Sequence, residues 1–240
     1  MNRVGEKQMM NNGLMAKIIE YRGAKDIDVE FEDGYIKQKC SYYEFKEGSV
    51  RNPYAKTIFN IGYYGDYDHF DKKIHSIWYS MLSRCYNIYN KYYKNYGAVG
   101  VTVCEEWHCF SNFQKWYEDN IYEITNENIQ LDKDVLIKGN KIYSPERCIF
   151  VPQRINEIFK RSYDIDKCGI EKRNDKYRVK IQINKKMINL GTFNTIEEAK
   201  ECYLKAKCRY IKDIAEEYKD KIPSKLYNSL IKISNNGGLN

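Results

Sequence analysis

Oxygen-bearing side chains lie close together in the stretch 131–156, at a spacing that could support metal chemistry. The residues of this stretch predict a strand, a loop, a second strand and a helix. Asp132 and Asp134 then lie two apart on the first strand, and Asn156 lies in the first turns of the helix. Because side chains alternate along a strand, the two carboxylates share one face and Lys133 points away from it. Paired carboxylates suit Mg²⁺ or Mn²⁺ better than zinc, so the stretch could hold a divalent ion with a phosphate on it.

The chain is basic and rich in tyrosine. Its 240 residues include 40 Lys and Arg against 33 Asp and Glu, a formal net charge of +7, together with 23 Tyr. Basic charge mixed with flat aromatic rings suits a polyanion whose bases can stack, so nucleic acid is the first partner to consider. Tyrosines that stack on unpaired bases would also suit an RNA-binding factor. The sequence contains no long apolar run and no signal-peptide pattern, which argues against a membrane partner.

The cysteine pattern indicates a reducing environment. Eight cysteines occur without a CxxC pair. In the absence of a secretory segment we expect free thiols and a cytoplasmic location. Cys104, His108, Cys109 and Cys148 could form a zinc site if the fold brought them together, although their spacing matches no common zinc motif.

Three segments are expected along the chain. Residues 1–66 predict a small β unit, because AKIIEYRG and DIDVEFEDGYIK are rich in strand-forming residues and are separated by turn residues. A helical period begins after Asp71, which can cap the helix, within a second segment that spans 67–165. The third segment, 166–240, begins with alternating strand residues and continues into a helix opened by a capping box at 195–198.

The third segment concentrates positive charge on a predicted sheet. Between positions 172 and 186 seven cations stand against one aspartate. In YRVKIQIN the apolar residues alternate with Arg178, Lys180 and Gln182, so one face of the strand is polar and the helix covers the other. A short sheet with an open basic face fits the DNA major groove, where Arg pairs with guanine and Gln with adenine. A solvated face with no partner is the alternative interpretation.

Specific residues of this segment carry a family resemblance. These are Leu190-Gly191-Thr192-Phe193 and the Thr-x-Glu-Glu-Ala run at 195–199. With them, the chain from Gly169 to Tyr218 resembles the Apetala/ethylene-response-factor type of DNA-binding domain, in which a three-stranded sheet lies in the major groove. The resemblance implies DNA contacts by Arg173, Arg178, Lys180 and Gln182. The neighbouring cations that we expect to contribute to DNA binding are Lys176, Lys185 and Lys186.

The middle of the chain carries a second resemblance, in WYSMLSRCYN, YKNYGAVGVTVCEEW and LDKDVLIKGNKIYSPERCIFVP. These stretches resemble phage-encoded H-N-H endonucleases. Followed by a predicted DNA-binding sheet, they resemble the layout of free-standing homing endonucleases of phages and mobile elements. The resemblance implies a ββα-metal finger, in which one strand carries an Asp-His pair, a loop Asn braces it, and a helix residue completes the metal shell.

Carried onto this chain, the resemblance implies that Asp132 ligates the metal and that Lys133 occupies the place of the general base. It further implies that Asn140 braces the loop and that Asn156 is the ligand from the helix. Lys133 departs from the histidine of the family, and a lysine ammonium ordinarily keeps its proton at neutral pH and cannot take one from water. If Asp132 and Asp134 are instead the paired ligands, the base could come from elsewhere, namely from His69, His75 or His108.

Together these patterns predict an α+β chain with an N-terminal SH3-like β unit, a central H-N-H-like ββα domain with helices, and a C-terminal three-stranded sheet plus helix. The expected function is a homing-type endonuclease that binds double-stranded DNA in a bacterial or phage-infected cell and hydrolyses phosphodiesters with Mg²⁺ or Mn²⁺. The alternative is a non-catalytic, sequence-specific DNA-binding protein, such as a phage regulator, that retains a degenerate finger. No small-molecule cofactor is expected. In the N-terminal unit Lys37, Lys39, Lys46 and Arg51 could follow a phosphate backbone, and a plain packing module is the other interpretation.

Overall fold

In a computed structural model the chain forms two compact units, Met1–Tyr117 and Glu118–Asn240. The structure describes residues 3–160, 169–184 and 186–236. Small antiparallel sheets and separate helices occur in both units, which confirms the α+β class. The domain limits expected near residues 66 and 165 stay predictions.

The first unit begins with a four-stranded antiparallel sheet whose strands follow chain order. The strands are β1 (Lys7–Met9), β2 (Met15–Gly23), β3 (Asp26–Phe31) and β4 (Ile36–Cys40). Ile27, Val29 and Phe31 of β3 are buried in its core with Phe45, which lies on the short helix α1 (Tyr42–Lys46). Gly34 turns the chain after β3 at a φ of 87°, as the Asp-Gly pair predicts. Closure of this sheet into an SH3-like barrel stays a prediction.

Two helices, α2 (Lys72–Tyr86) and α3 (Phe110–Asn120), follow with a short strand, β5 (Thr102–Val103). Between them lie 3-10 turns at Tyr93–Asn95, Gly97–Val99 and Glu105–His108. Asp71 caps α2 as expected, because its Oδ1 accepts the backbone N–H groups of Lys73 at 2.7 Å and Ile74 at 2.9 Å. The apolar stripe of α2 is buried, and its Trp78 indole donates to the Trp107 carbonyl at 2.7 Å.

In its described residues the second unit contains two small antiparallel sheets and three helices. The first sheet pairs β6 (Ile129–Asp132) with β8 (Ile149–Pro152), with β7 (Ile142–Tyr143) between them in the chain and α4 (Gln153–Lys160) directly after. The second sheet consists of β9 (Ile170–Arg173), β10 (Lys176–Ile183) and β11 (Lys186–Phe193), with β10 in the centre. The chain then forms α5 (Ile196–Tyr218) and α6 (Ser224–Asn235). Among the helices in the described ranges, none is long and apolar enough to cross a lipid bilayer.

Helix α5 belongs to two cores at once. Near its start, Ala199 and Tyr203 pack against Val179 and Ile181 of the three-stranded sheet. Further along, α5 joins α6, the β6–β8 hairpin and α4 in a second core. The members of this core on α5 and after it are Ile211, Ile214, Ala215, Tyr218, Ile222, Leu226 and Leu230, and those on the hairpin side are Val135, Ile149, Val151, Ile155 and Phe159. One continuous helix therefore connects the sheet to the hairpin.

Candidate functional site

The β6–β8 hairpin and α4 form a strand–strand–helix arrangement at the place where a finger is expected. The two strands pair from Ile129–Pro152 to Asp132–Ile149, and α4 contacts both of them. Asn156 on α4 donates from Nδ2 to the side-chain oxygen of Gln130 at 2.9 Å. Gln130 and Asp132 lie two apart on β6, so α4 brings Asn156 to the face of the strand that also carries Asp132.

Asp132 ends its strand, which corrects one expectation from the sequence. Its Oδ1 accepts the backbone N–H groups of Asp134 at 2.8 Å and of Val135 at 2.7 Å. A carboxylate that captures the next N–H groups turns the chain and prevents the strand from continuing. Asp134 therefore lies beyond β6, and the two carboxylates do not share a strand face. Burial raises the pKa of the Asp132 carboxyl, and the N–H groups of Val135 and Asp134 oppose that rise.

Lys133 is a buried cation inside the loop, where the sequence predicted a side chain pointing away. Only 8% of the residue is exposed. Its Nζ donates to Asp134 Oδ1 and to the Asn140 carbonyl, both at 2.7 Å. The Asp132 turn is the reason, because it brings the ammonium of Lys133 to the carboxylate that alternation would have placed on the opposite side. Lys133, at the position expected for a general base, thus donates hydrogen bonds to two oxygen atoms.

Asn140 holds the two ends of the same loop together. Its Nδ2 donates to the carbonyls of Lys133 at 2.9 Å and Ile142 at 2.8 Å, and its Oδ1 accepts the Ile142 N–H at 3.1 Å. The residue is 4% exposed, so these bonds are made away from water. Its contacts are those of a residue that braces a loop, and a part for it in a nuclease finger stays a prediction.

A divalent cation fits this arrangement only in part. Asp132 and Asn156 carry oxygen atoms on one side of the hairpin, which are ligand atoms that Mg²⁺ accepts. Asp134 does not fit as a ligand, because its carboxylate already binds the Lys133 ammonium. A second cation beside that buried ammonium would be repelled by it. Within the described residues, no group of three or more His, Cys, Asp or Glu side chains is arranged to hold a metal ion, and this also leaves the zinc alternative without support.

The three histidines named as alternative bases have local contacts in the first unit. The His75 ring stacks on Tyr64 at 5.7 Å between ring centres, and burial lowers the pKa of His75. His108 Nε2 lies 3.0 Å from the Val103 carbonyl, and burial likewise lowers the pKa of His108. His69 Nε2 lies 3.1 Å from the side-chain nitrogen of Gln114. These contacts account for the three residues as parts of the first unit, and a role for any of them as a base stays a prediction.

The three-stranded sheet places its apolar and basic residues on opposite faces. Tyr177, Val179, Ile181 and Ile183 of β10 belong to the core under α5, as the alternation predicts. The intervening side chains, including those of Arg178 and Lys180, therefore lie on the face turned away from α5. The β9–β10 connection is a two-residue turn whose residues both have positive φ, Asn174 at 47° and Asp175 at 60°. Such a turn keeps the register of the basic residues fixed.

The basic residues predicted to bind DNA largely share this open face. Cross-strand pairing sets Arg178 opposite Glu171 and Thr192, and Lys180 opposite Asn189. Arg173, Lys176 and Gln182 are exposed, Arg178 and Lys180 are half-buried, and Lys186 is exposed at the start of β11. Lys185 lies outside the described residues. We call the set Arg173, Lys176, Arg178 and Lys180 the basic face.

One acidic residue on this face was not recognised from the sequence. Glu171 lies 2.8 Å from Arg173 and 3.7 Å from Lys180, and the Arg173 guanidinium lowers the pKa of Glu171. Arg178 Nε is 3.4 Å from Asn189 Oδ1. The register of β9 against β10 could have revealed the position of Glu171, but the alternation of β10 alone could not. The basic face still carries four cations against one carboxylate. Glu171 orients Arg173 and Lys180, and the Asn189 side chain orients Arg178.

Comparisons of the chain with family models, with curated proteins and with solved structures found no match.

Proposed function

We propose that this chain is a sequence-specific, double-stranded-DNA-binding protein that reads its site with the basic face. The observation that carries the proposal is the position of the basic face on the side of the sheet that α5 does not cover. A twisted three-stranded sheet fits the width of the major groove, where Arg side chains pair with guanine edges and with phosphates. The anionic groove would replace Glu171 as the partner of Arg173 and Lys180.

The hairpin, in this proposal, is a scaffold that supports the reading sheet. Helix α5 packs on the sheet at one end and shares the second core with the hairpin at the other. Arg154 of α4 adds polar contacts, with Nε 3.2 Å from Oδ1 of Asn184, directly after β10, and Nη2 2.9 Å from Glu217 Oε2 on α5. Lys207 Nζ donates to the Ile158 carbonyl in the last turn of α4 at 3.2 Å. The β6–β8 hairpin and the three-stranded sheet would therefore bind DNA as one rigid unit.

The binding test is selection of duplex DNA from a random pool, followed by affinity measurements on the selected duplex. We expect the double variant Arg178→Gln/Lys180→Gln to lose at least about tenfold in affinity, since each specific contact is worth about 1–3 kcal/mol. A matched control, Arg209→Gln/Lys212→Gln, removes the same charges from exposed positions on α5. Equal affinity of the two double variants would exclude the basic face as the reader.

A second candidate function, metal-dependent cleavage of the bound duplex, is supported by the strand–strand–helix arrangement and by the Gln130–Asn156 contact. The cofactor would be Mg²⁺ or Mn²⁺ and the ligands Asp132 and Asn156. The position of Lys133 disfavours cleavage. General-base assistance is typically worth ~10²–10⁴-fold in rate. An ammonium that donates to two oxygen atoms cannot supply this assistance.

Nicking of supercoiled plasmid separates the two candidates. The substrate carries the selected site, and the reactions contain Mg²⁺, Mn²⁺ or EDTA with the wild type, Asp132→Ala or Lys133→His. We expect the wild type to bind the plasmid and leave it supercoiled under all three conditions. Metal-dependent nicking by the wild type that Asp132→Ala abolishes would establish the endonuclease, and it would leave the role of the basic face unchanged.

A further inference from the structure

A cleft of about 1090 Å³ in the first unit has no part in the function proposed above. It runs between the end of the four-stranded sheet and the chain segment that leads into α2. Three cationic side chains and three aromatic rings line it, and we call it the basic–aromatic cleft. These residues are Lys37, Lys39, Arg51, Tyr64, Tyr67 and Phe70.

The cations of the cleft are available to a ligand. Lys37, Lys39 and Arg51 are exposed, and among the described residues they form no ion pair with a carboxylate. Elsewhere in the same unit Arg22 is bound by Asp26 at 2.7 Å and by Asp28 at 2.6 Å, so neutralised cations do occur nearby.

The two carboxylates that line the cleft already accept hydrogen bonds from other groups. Glu44 Oε2 accepts the Ser41 backbone N–H at 2.9 Å in the capping box of α1, and Asp66 Oδ2 accepts the Tyr54 hydroxyl at 2.5 Å. The cleft is lined by three cations and two carboxylates, and each carboxylate accepts a hydrogen bond from a neutral group.

The aromatic rings of the cleft pack against one another, and one of them is partly exposed. Phe70 is 41% exposed, and its ring is supported by Tyr67 at 5.7 Å and by Phe110 at 5.3 Å between ring centres. Tyr64 packs beside it at 6.4 Å. The charge of Arg51 acts on the Tyr64 hydroxyl, opposing the rise in the pKa of Tyr64 that burial causes, so the guanidinium lies near these rings. An exposed ring packed in this way offers a surface on which a base can stack.

We infer that the basic–aromatic cleft binds one unpaired strand of nucleic acid, with phosphates on Lys37, Lys39 and Arg51 and bases against Phe70 and its neighbours. Proteins that hold single strands combine a cationic track with exposed rings on which bases stack. An intact duplex would offer its phosphates to the cations but would keep its base faces inside the stack, leaving the rings unused. Such binding would give the first unit a role of its own, and none of the residues of the basic face takes part in it.

The test uses the full chain and a fluorescein-labelled oligothymidylate of about twelve nucleotides, with binding followed by anisotropy at about 50 and about 200 mM salt. All proteins carry glutamine at the four positions of the basic face, so that the sheet does not contribute. The cleft variant is Lys37→Gln/Lys39→Gln/Arg51→Gln. The matched control is Lys7→Gln/Lys25→Gln/Lys115→Gln, at three exposed lysines that do not line the cleft. Far-UV circular dichroism verifies that each variant is folded.

We expect the cleft variant to bind at least about tenfold more weakly at low salt, and the control to bind as the parent does. Three phosphate contacts to a single strand predict a log–log salt slope of roughly −2, which the cleft variant should lose. Phe70→Leu should weaken binding by at least about fivefold through lost stacking. An oligouridylate in a parallel titration tells whether DNA or RNA is preferred.

Equal affinity of the cleft and control variants would overturn the inference, and so would an unchanged affinity after Phe70→Leu. Stronger binding of a duplex than of either single strand by the same proteins would show a duplex-binding surface instead. None of these outcomes bears on the basic face, because its cations are absent from every protein in the test.

Discussion

Replacing Lys133 with methionine tests whether the Lys133 ammonium stabilises the loop after β6, because the change keeps most of the unbranched apolar side chain and removes the charge together with its hydrogen-bond donors. The ammonium donates to Asp134 Oδ1 and to the Asn140 carbonyl, both at 2.7 Å. Hydrogen bonds to charged groups are worth ~1.5–3 kcal/mol each. Methionine recovers part of this loss, since no charge has to be desolvated. The Asp134 side chain is 34% exposed and can turn to water, whereas Asn140 is buried, so we expect a net destabilisation of about 1–3 kcal/mol.

Urea unfolding of the full chain measures this loss. The far-UV circular dichroism signal reports both units, whereas tryptophan fluorescence reports the first unit, which contains Trp78, Trp107 and Trp116. We expect Lys133→Met to shift the circular dichroism transition of the second unit, and the exposed-site control Lys212→Met to leave it in place. Neither Mg²⁺ nor EDTA should change the stability of the wild type. A Lys133→Met protein at least as stable as the wild type would show that the ammonium does not stabilise the loop, and a wild type stabilised by Mg²⁺ would show that a metal ion binds the folded chain.

Two further predictions concern the second unit. Burial raises the pKa of Asp132, so its carboxyl contributes to stability at low pH and loses that contribution as the pH rises through the folded-state pKa. Asp132→Asn keeps an oxygen that can accept the N–H groups of the turn and removes the charge. Urea unfolding at several pH values should show that the free energy of unfolding of Asp132→Asn increases relative to that of the wild type as the pH rises. A difference between the two proteins that does not change with pH would contradict this prediction. Ile214→Ala, at a residue of α5 that is 1% exposed in the core shared with the hairpin, should cost about 2–5 kcal/mol in urea unfolding. A cost below about 1 kcal/mol would show that α5 does not hold the hairpin and the sheet together.

Local patterns in the sequence predicted the local structure well. Asp71 caps α2, and Thr195 with Glu198 forms the capping box of α5, because a cap needs only the few residues around it. The alternation from Tyr177 to Ile183 likewise identified the face of β10 that α5 covers, because a period of two is a property of the strand itself.

The predictions from the sequence failed where the structure depends on contacts between distant residues or on hydrogen bonds that compete with a strand. Asp132 was expected to continue its strand, but its carboxylate binds the following N–H groups and turns the chain, which moved Lys133 from the outside of the hairpin to its interior. Glu171 was overlooked, because its place beside Arg173 and Lys180 depends on the pairing of β9 with β10. The core in which α5 meets the hairpin joins residues more than 60 positions apart, such as Ile149 and Ile214, and no periodicity carries that information.

The salt dependence of duplex binding in EDTA measures directly whether the basic face holds double-stranded DNA without help from a metal. Each phosphate neutralised on a duplex contributes about −0.9 to the slope of log affinity against log salt. We expect tight binding of the selected duplex by the wild type, and a slope that becomes shallower by up to about 0.9 for each cation of the basic face replaced by glutamine. A slope that these replacements leave unchanged would show that the basic face does not hold the duplex. A wild type that binds duplex DNA only when a divalent cation is present would show that a metal is needed.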